Sequence, residues 1–510
     1  MRKTLSLILA LAMMLTMFTS FASAEVMTDV GTPRSETLIV EVQSPFATPG
    51  QFNPYMSGTS KGSGLHQMLF DHLWEMDSVT GQQFPALAED FPTSNEDYTE
   101  HVFHIRQGMT WDDGEVIDAH DVVYTMNMIM NTPGIGDSAY FNQVFKSVEA
   151  VDDYTVKCVT NESFPRLAQK FGVTVWGNSL VIIPEHKFSA VEDVTTYMYT
   201  DVLSCTQYKL HSFDQVGNWI LFEKRADFQN SASYMLEGES QPQYVLFKVL
   251  GADETRMMEM VANNVDIMCE VTPELLEAMM AMNPNIAAWY KDWPYATMDD
   301  PNSKGITFSM GNGSPWDNKY FRWGLALAMN MVEVSQNIFD GVGRSSVLLT
   351  PSSLAMNNTY YKELLPWLTE FTIEGTDIKP FDPTFKDQMY ELYSDRFATE
   401  PTEQELIDMF GYGVWKYDPE AATELLTMAG LEKKDDGWYY NGEPFSFTVN
   451  VISGSEAQAV RGGEAAVDQW KKFGLNCEVV SLISTSFSDA ETQGTFEVGA
   501  YWPCPGITTT

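Results

Sequence analysis

The stretch Phe103–Met130, FHIRQGMTWDDGEVIDAHDVVYTMNMIM, decides how the rest of the chain is read. Phe103 and Ile105 alternate with His104 and Arg106, the period of two that marks a half-buried strand. Gly108 and the pair Asp113-Gly114 supply turn conformations that residues with a β-carbon enter poorly. Asp118 then precedes a run in which Val122, Met126 and Ile129 recur at helical spacing, one apolar stripe along a helix. Asp118 is the expected N-cap, and Asp121 falls in the first turn, where the helix dipole favours negative charge. Taken alone this is strand, loop and capped helix, an architectural unit in which no residue must do chemistry.

Written as F-x-I-R-x-G-x-x-W-x-D-G and then A-x-D-V-V-Y-x-M, the same residues strongly resemble the signature region of the peptide/nickel class (family 5) of extracytoplasmic solute-binding proteins, the capture subunits of ABC importers. Further landmarks of the resemblance follow in order over about residues 37–505: Phe164-Pro165, Val181–His186, and a helix carrying Arg322, Ala326, Leu327 and Met329. It implies an α/β, two-lobed periplasmic-binding-protein-like fold with mixed β-sheets and a hinged interlobe cleft. Residues 25–300 would form the first lobe, with a subdomain around 70–210, and residues 301–510 the second. The implied function is capture of oligopeptides in that cleft and delivery to the permease, with an oligosaccharide ligand as the alternative. A secreted hydrolase and a surface lectin are the competing classes.

Local signals fill in the elements. Thr37–Val42 reads as the first strand and opens into a loop at Pro45–Tyr55, followed by a helix near Gly64–Trp74. Val148–Val159 reads as two strands around an Asp-Asp turn, and Tyr244–Leu250 as a strand followed by a helix Glu254–Asn263, with Asn264 as a left-handed cap. Ile306–Met310 is a strand, and Asn318–Met331 a single helix. Asp418-Pro419-Glu420 sets an N-cap, a first-turn proline and an acid ahead of the stripe Ala422, Leu425, Leu426, Ala429, with Gly430 as the stop. Asp436-Gly437 and Asn441-Gly442 flank Trp438–Tyr440 as a hairpin signal. The helix Glu456–Phe473 and the strand Leu475–Val480 follow. Helices alternate with strands throughout, without repeats.

The resemblance also supplies candidate ligand-binding residues. The loop after the first strand contributes Asn53 and Tyr55, and the late aromatic pair Tyr501 and Trp502 falls where the family lines its cleft. Thr206 lies where the family has Gly-Thr-Gly-Pro-Tyr and this chain has Ser204-Cys205-Thr206-Gln207-Tyr208, a different loop backbone. In the peptide-binding branch an aspartate soon after the tryptophan pairs with the peptide's α-ammonium. Here Gly499–Gly506 contains no acid, which shifts weight toward a less charged ligand. The family pattern runs on beyond Trp502, so the resemblance further implies a second lobe truncated at its C-terminus.

Residues 1–24 read as an export leader: Arg2 and Lys3, an apolar core Leu5–Phe18, and Ala22-Ser23-Ala24. With no cysteine after it, a lipid anchor is not indicated, and the mature protein is expected on the periplasmic or extracellular face. Seventy acids against 30 basic residues give a net charge of −40, which argues against nucleic acid as a partner because no basic surface can displace phosphate counterions. A monomer is expected. Five widely spaced cysteines suggest neither a disulfide framework nor a zinc site. His101 and His104, three apart on a strand, point to opposite faces and make a poor ligand pair. No H-E-x-x-H, P-loop or dinucleotide fingerprint occurs, so neither a metal nor a cofactor is expected and the chain is read as a non-enzyme.

Overall fold

The computed structural model describes residues 26–502, apart from 43–44, 47, 57–65, 78–79, 81, 172–179, 270, 291, 294, 296–302, 349–351, 398 and 454–455. The expected leader and the last eight residues lie outside the described residues. The chain divides into two compact units, one drawn from residues 1–74, 85–168 and 179–269, the other from 75–84, 169–178 and 270–510.

The first unit contains β1 (Thr37–Val42), β2 (Thr93–Ser94), β3 (Glu100–His104), α1 (Ala119–Asn131), β4 (Phe145–Asp152), β5 (Thr155–Thr160), β6 (Tyr208–Phe213), β7 (Trp219–Lys224), β8 (Tyr244–Val249) and α2 (Asp253–Val261). One sheet runs β1-β8-β7-β6, parallel between β1 and β8 and antiparallel elsewhere. The other runs β2-β3-β5-β4, antiparallel throughout. On β3 the period of two holds: His101 and Phe103 are buried and His104 is exposed. His101 bonds Ser94 at 2.8 Å on the inner face, while His104 pairs with Asp90 at 2.8 Å outside. Helix α1 is capped as its sequence asks, Asp118 accepting from the His120 N–H at 2.8 Å, and Val122, Met126 and Ile129 are buried.

Two local expectations change. The described part of Gly64–Trp74 is not helical; the Leu69 and Phe70 N–H groups both return to the His66 carbonyl, and Trp74 starts a short strand. Residues 69–74 are all buried, so their apolar character reports depth and not a helical face. Helix α2 ends at Val261, two positions early, and the left-handed residue is Asn263 at φ +61°, not Asn264.

The second unit contains β9 (Gly305–Phe308), α3 (Lys319–Leu327), α4 (Met331–Phe339), α5 (Pro419–Met428), β10 (Leu431–Lys434), β11 (Gly437–Tyr440), β12 (Ser446–Ile452), α6 (Ala457–Phe473), β13 (Asn476–Leu482) and β14 (Val498–Tyr501). Its main sheet runs β9-β14-β12-β13, with β9 antiparallel to β14 and the other pairs parallel. The helix expected over Asn318–Met331 is two. Asn318 caps α3 through the Tyr320 N–H at 2.9 Å, and Asn330 caps α4 through the Glu333 N–H at 3.2 Å. An asparagine competes for backbone donors and so starts a helix more readily than it continues one. Helix α5 follows its signal: Asp418 accepts from the Ala421 N–H at 3.0 Å, and Ala422, Leu425 and Leu426 are completely buried.

An aromatic core holds this unit together. Trp316 meets Phe321 edge-on at 5.0 Å and Phe447 at 5.5 Å, and Phe447 meets Trp470 at 5.5 Å. Rings of this size each contribute about 2–3 kcal/mol by burial. The indole of Trp470 also donates to the Leu325 carbonyl at 2.9 Å, tying α6 to α3. Gly463 lets α6 lie flush on the sheet, since a β-carbon there would stand 2.7 Å from Val451 and 2.8 Å from Ala500. That close approach brings the N-terminal end of α6 beside the end of β14.

Candidate functional site

The five residues singled out from sequence fall in two groups, one in each unit. In the first unit Asn53 is completely buried. Its amide donates to the carbonyls of Val194 at 2.7 Å and Tyr197 at 3.0 Å, and its Oδ1 accepts from the Tyr55 N–H at 2.9 Å. The Tyr55 hydroxyl donates to the Val181 carbonyl. Burial above all, with Asp137 nearby, holds that phenol well above its ordinary pKa. Asn53 and Tyr55 thus share one loop and stitch it to residues 181–197.

Thr206 is also buried, its hydroxyl donating to the Met68 carbonyl at 2.7 Å. What shapes its loop is a residue that sequence reasoning passed over. Arg225, with a side chain 1% exposed, gathers the carbonyls of Thr110, Trp111, Ser204 and Thr206 at 3.0–3.2 Å and pairs with Asp227 at 2.9 Å. A guanidinium has five donors and no acceptor, so it can replace the backbone geometry that two glycines and a proline would otherwise set. Asp121 is a second such hub. Its carboxylate accepts from the Trp111 indole at 3.1 Å and the Glu185 N–H at 2.8 Å. Burial raises its pKa to about 6 against those two bonds. Only its place in the first helical turn was legible.

In the second unit Tyr501 ends β14, Trp502 follows it, and both are half-buried. Tyr501 lies opposite Gly305 in the β9–β14 register and packs on Phe487 with ring centroids 5.1 Å apart. Its phenol is held above its ordinary range by burial and then by the carboxylates of Glu456 and Glu491. Lys304, one residue before Gly305, places its ammonium 4.6 Å from the Trp502 ring centroid. That ammonium donates to Gln458 Oε1 at 3.1 Å and lies 3.7 Å from Glu456 Oε2. Glu456, at φ +55°, and Gln458 sit at the mouth of α6. The family pattern pointed to the aromatics. Lys304, Glu456 and Gln458 carry no motif and become neighbours only through the β9–β14 register and the close seat of α6.

Chemically, the second group presents an aromatic face beside an ammonium, a carboxylate and an amide, which can bind but lack a nucleophile–base pair. The pentad Gly58-Thr59-Ser60-Lys61-Gly62 spells the G-x-S-x-G nucleophile-elbow pattern, a match the motif reading overlooked. It lies outside the described residues. Among the described residues no group of three or more His, Cys, Asp or Glu side chains could hold a metal ion.

Residues 82–506 match the profile of the bacterial extracellular solute-binding proteins, family 5 (middle region). The chain belongs to this family. The proteins of this family are extracellular solute-binding proteins, and among the described residues no helix is long and apolar enough to cross a membrane. No curated protein matches the chain significantly.

Solved structures share the fold. A periplasmic oligopeptide-binding protein of an oligopeptide ABC transporter from Thermotoga maritima superposes with a TM-score of 0.71 at 21% identity, covering 93% of this chain and 77% of that one. The same Thermotoga protein with mannohexaose bound gives 0.67 at 21% identity, over 94% and 78%. The oligopeptide-binding protein AppA of Bacillus subtilis, in complex with a nonapeptide, gives 0.61 at 17% identity, over 93% and 80%. The mixed α/β architecture with several sheets is therefore that of the two-lobed periplasmic binding proteins.

Proposed function

We propose that this protein captures oligopeptides outside the cytoplasmic membrane and delivers them to the membrane subunits of an ABC importer. The observation that carries the reading is the family match over residues 82–506, supported by likeness to oligopeptide-binding proteins. In this reading the chain works as a monomer without cofactor, metal or catalysis, and its charge of −40 keeps it from nucleic acid. Tyr501 and Trp502 touch the ligand directly. Asn53, Tyr55 and Thr206 hold the backbone around them in the first unit.

An oligosaccharide is the second reading, favoured by one observation: the half-exposed Trp502 stands beside a donor–acceptor array of Lys304, Glu456 and Gln458. Thermal denaturation of the exported protein with panels of tri- to nonapeptides and of hexasaccharides tests both. A ligand that binds only the folded state raises Tm, by about 2.7 kcal/mol of added stability at a hundredfold excess over Kd. No shift with any member of either panel would defeat the solute-capture reading.

A further inference from the structure

We propose that Lys304, Glu456 and Gln458, with the indole of Trp502, form a subsite for one neutral sugar ring. The inference rests on the solute-capture reading and takes the oligosaccharide side of it. The four residues meet at the end of β14: the Lys304 ammonium lies 4.6 Å from the indole centroid, 3.1 Å from Gln458 Oε1 and 3.7 Å from Glu456 Oε2. Trp502 is half-buried, and Lys304 and Glu456 each keep about a fifth of their side chain at the surface, Glu456 Oε2 itself being buried.

Charge decides which ligand suits this array. A peptide's α-ammonium brought to Trp502 meets the Lys304 ammonium, and its α-carboxylate meets Glu456. Either terminus gains one partner and one like charge, so the attraction largely cancels. A sugar hydroxyl is both donor and acceptor. It can accept from Lys304 and donate to the carboxylate or the amide without bringing a charge out of water. The apolar C–H face of a pyranose ring is what a partly exposed indole can cover. The array offers ammonium and amide donors beside carboxylate and amide acceptors within a few ångströms, a fit to neighbouring hydroxyls on one ring.

The test is calorimetric titration of the full chain, wild type and variants, with mannohexaose, cellohexaose and a nonapeptide. The expected result is binding of at least one hexasaccharide, weakened about tenfold by Lys304→Met, as loss of a charged hydrogen bond predicts. Lys304→Gln, which keeps a donor, should restore most of the affinity, and Glu456→Gln should weaken binding without abolishing it. Thermal denaturation of each variant confirms that it is folded. Sugar affinity unchanged in folded Lys304→Met and Glu456→Gln would overturn the subsite, leaving these residues as a pin between β9 and α6. Nonapeptide binding with no sugar binding would also overturn it while leaving solute capture standing. Binding of none of the three probes by the folded protein would overturn the subsite, and the broader peptide and hexasaccharide panels would then decide the fate of the capture reading.

Discussion

The two groups of candidate residues are built in opposite ways. Asn53 and Thr206 are buried, and their side chains are occupied by carbonyls of their own unit. Tyr501 and Trp502 are half-exposed at a strand end, ringed by side chains with charge at the surface. A fully buried side chain whose polar groups are already satisfied has little left to offer a ligand, whereas a half-buried ring beside partly exposed charge keeps some surface to give. The candidates of the first unit thus hold loops, whereas those of the second keep part of their surface open.

The strongest way to break that contrast is at Arg225. Arg225→Met takes a donor from four carbonyls, of which Trp111 and Ser204 keep a backbone N–H, and the first unit should lose about 2–4 kcal/mol, the cost of the buried groups left unpaired. Urea denaturation followed by a probe in this unit measures it. A loss under 1 kcal/mol would mean the guanidinium is not what shapes the Thr206 loop.

Asn53→Ala comes next. It strips the donor from Val194 and Tyr197 and should cost about 2–3 kcal/mol, with each buried group left unpaired contributing. Any fall in ligand affinity should follow from that loosening, so Asn53→Asp, which keeps only the acceptor, should be nearly as unstable. An Asn53→Ala protein of wild-type stability that binds no ligand would make Asn53 a direct contact after all.

Asp121 sharpens the comparison through pH. Its carboxyl titrates at about 6 in the folded chain because burial outweighs the bonds from Trp111 and Glu185, against an ordinary value of 3.8. A raised folded pKa means the folded state holds the proton more tightly. Its contribution is therefore full below pH 4 and lost as pH rises through 6, about 2–3 kcal/mol in all. Surface carboxylates such as Asp214 and Asp227, whose pKa values are lowered by hydrogen bonds, act in the other direction. The informative quantity is thus the difference between wild type and Asp121→Asn, which should slope downward between pH 4 and 6. A flat difference would show that Asp121 is not held in low dielectric.

The smallest effect on stability is expected at Trp502. Trp502→Ala removes a half-exposed ring and should change stability by about 1 kcal/mol or less, yet lower ligand affinity by about 1–3 kcal/mol as an aromatic anchor does. A large stability loss with unchanged affinity would reverse the division of labour between the two units.

What the sequence determined by itself lies within one or two turns of chain. Asp118 and Asp418 cap their helices, β3 alternates, and the order of such signals was enough to reach the family. Even the misplaced cap at Asn263 and the divided helix at Asn330 are local errors, made where two short-range preferences compete. Tertiary structure alone decided the rest, because burial and long-range partners have no local signature. Asp121 reads as an ordinary first-turn acid until Trp111 and Glu185 close over it. Nothing beside Arg225 in the chain announces that it will hold Thr110 and Ser204. Lys304 comes to lie over Trp502 only because β9 pairs with β14 in one register, and Glu456 and Gln458 join them only because Gly463 lets α6 settle against Ala500.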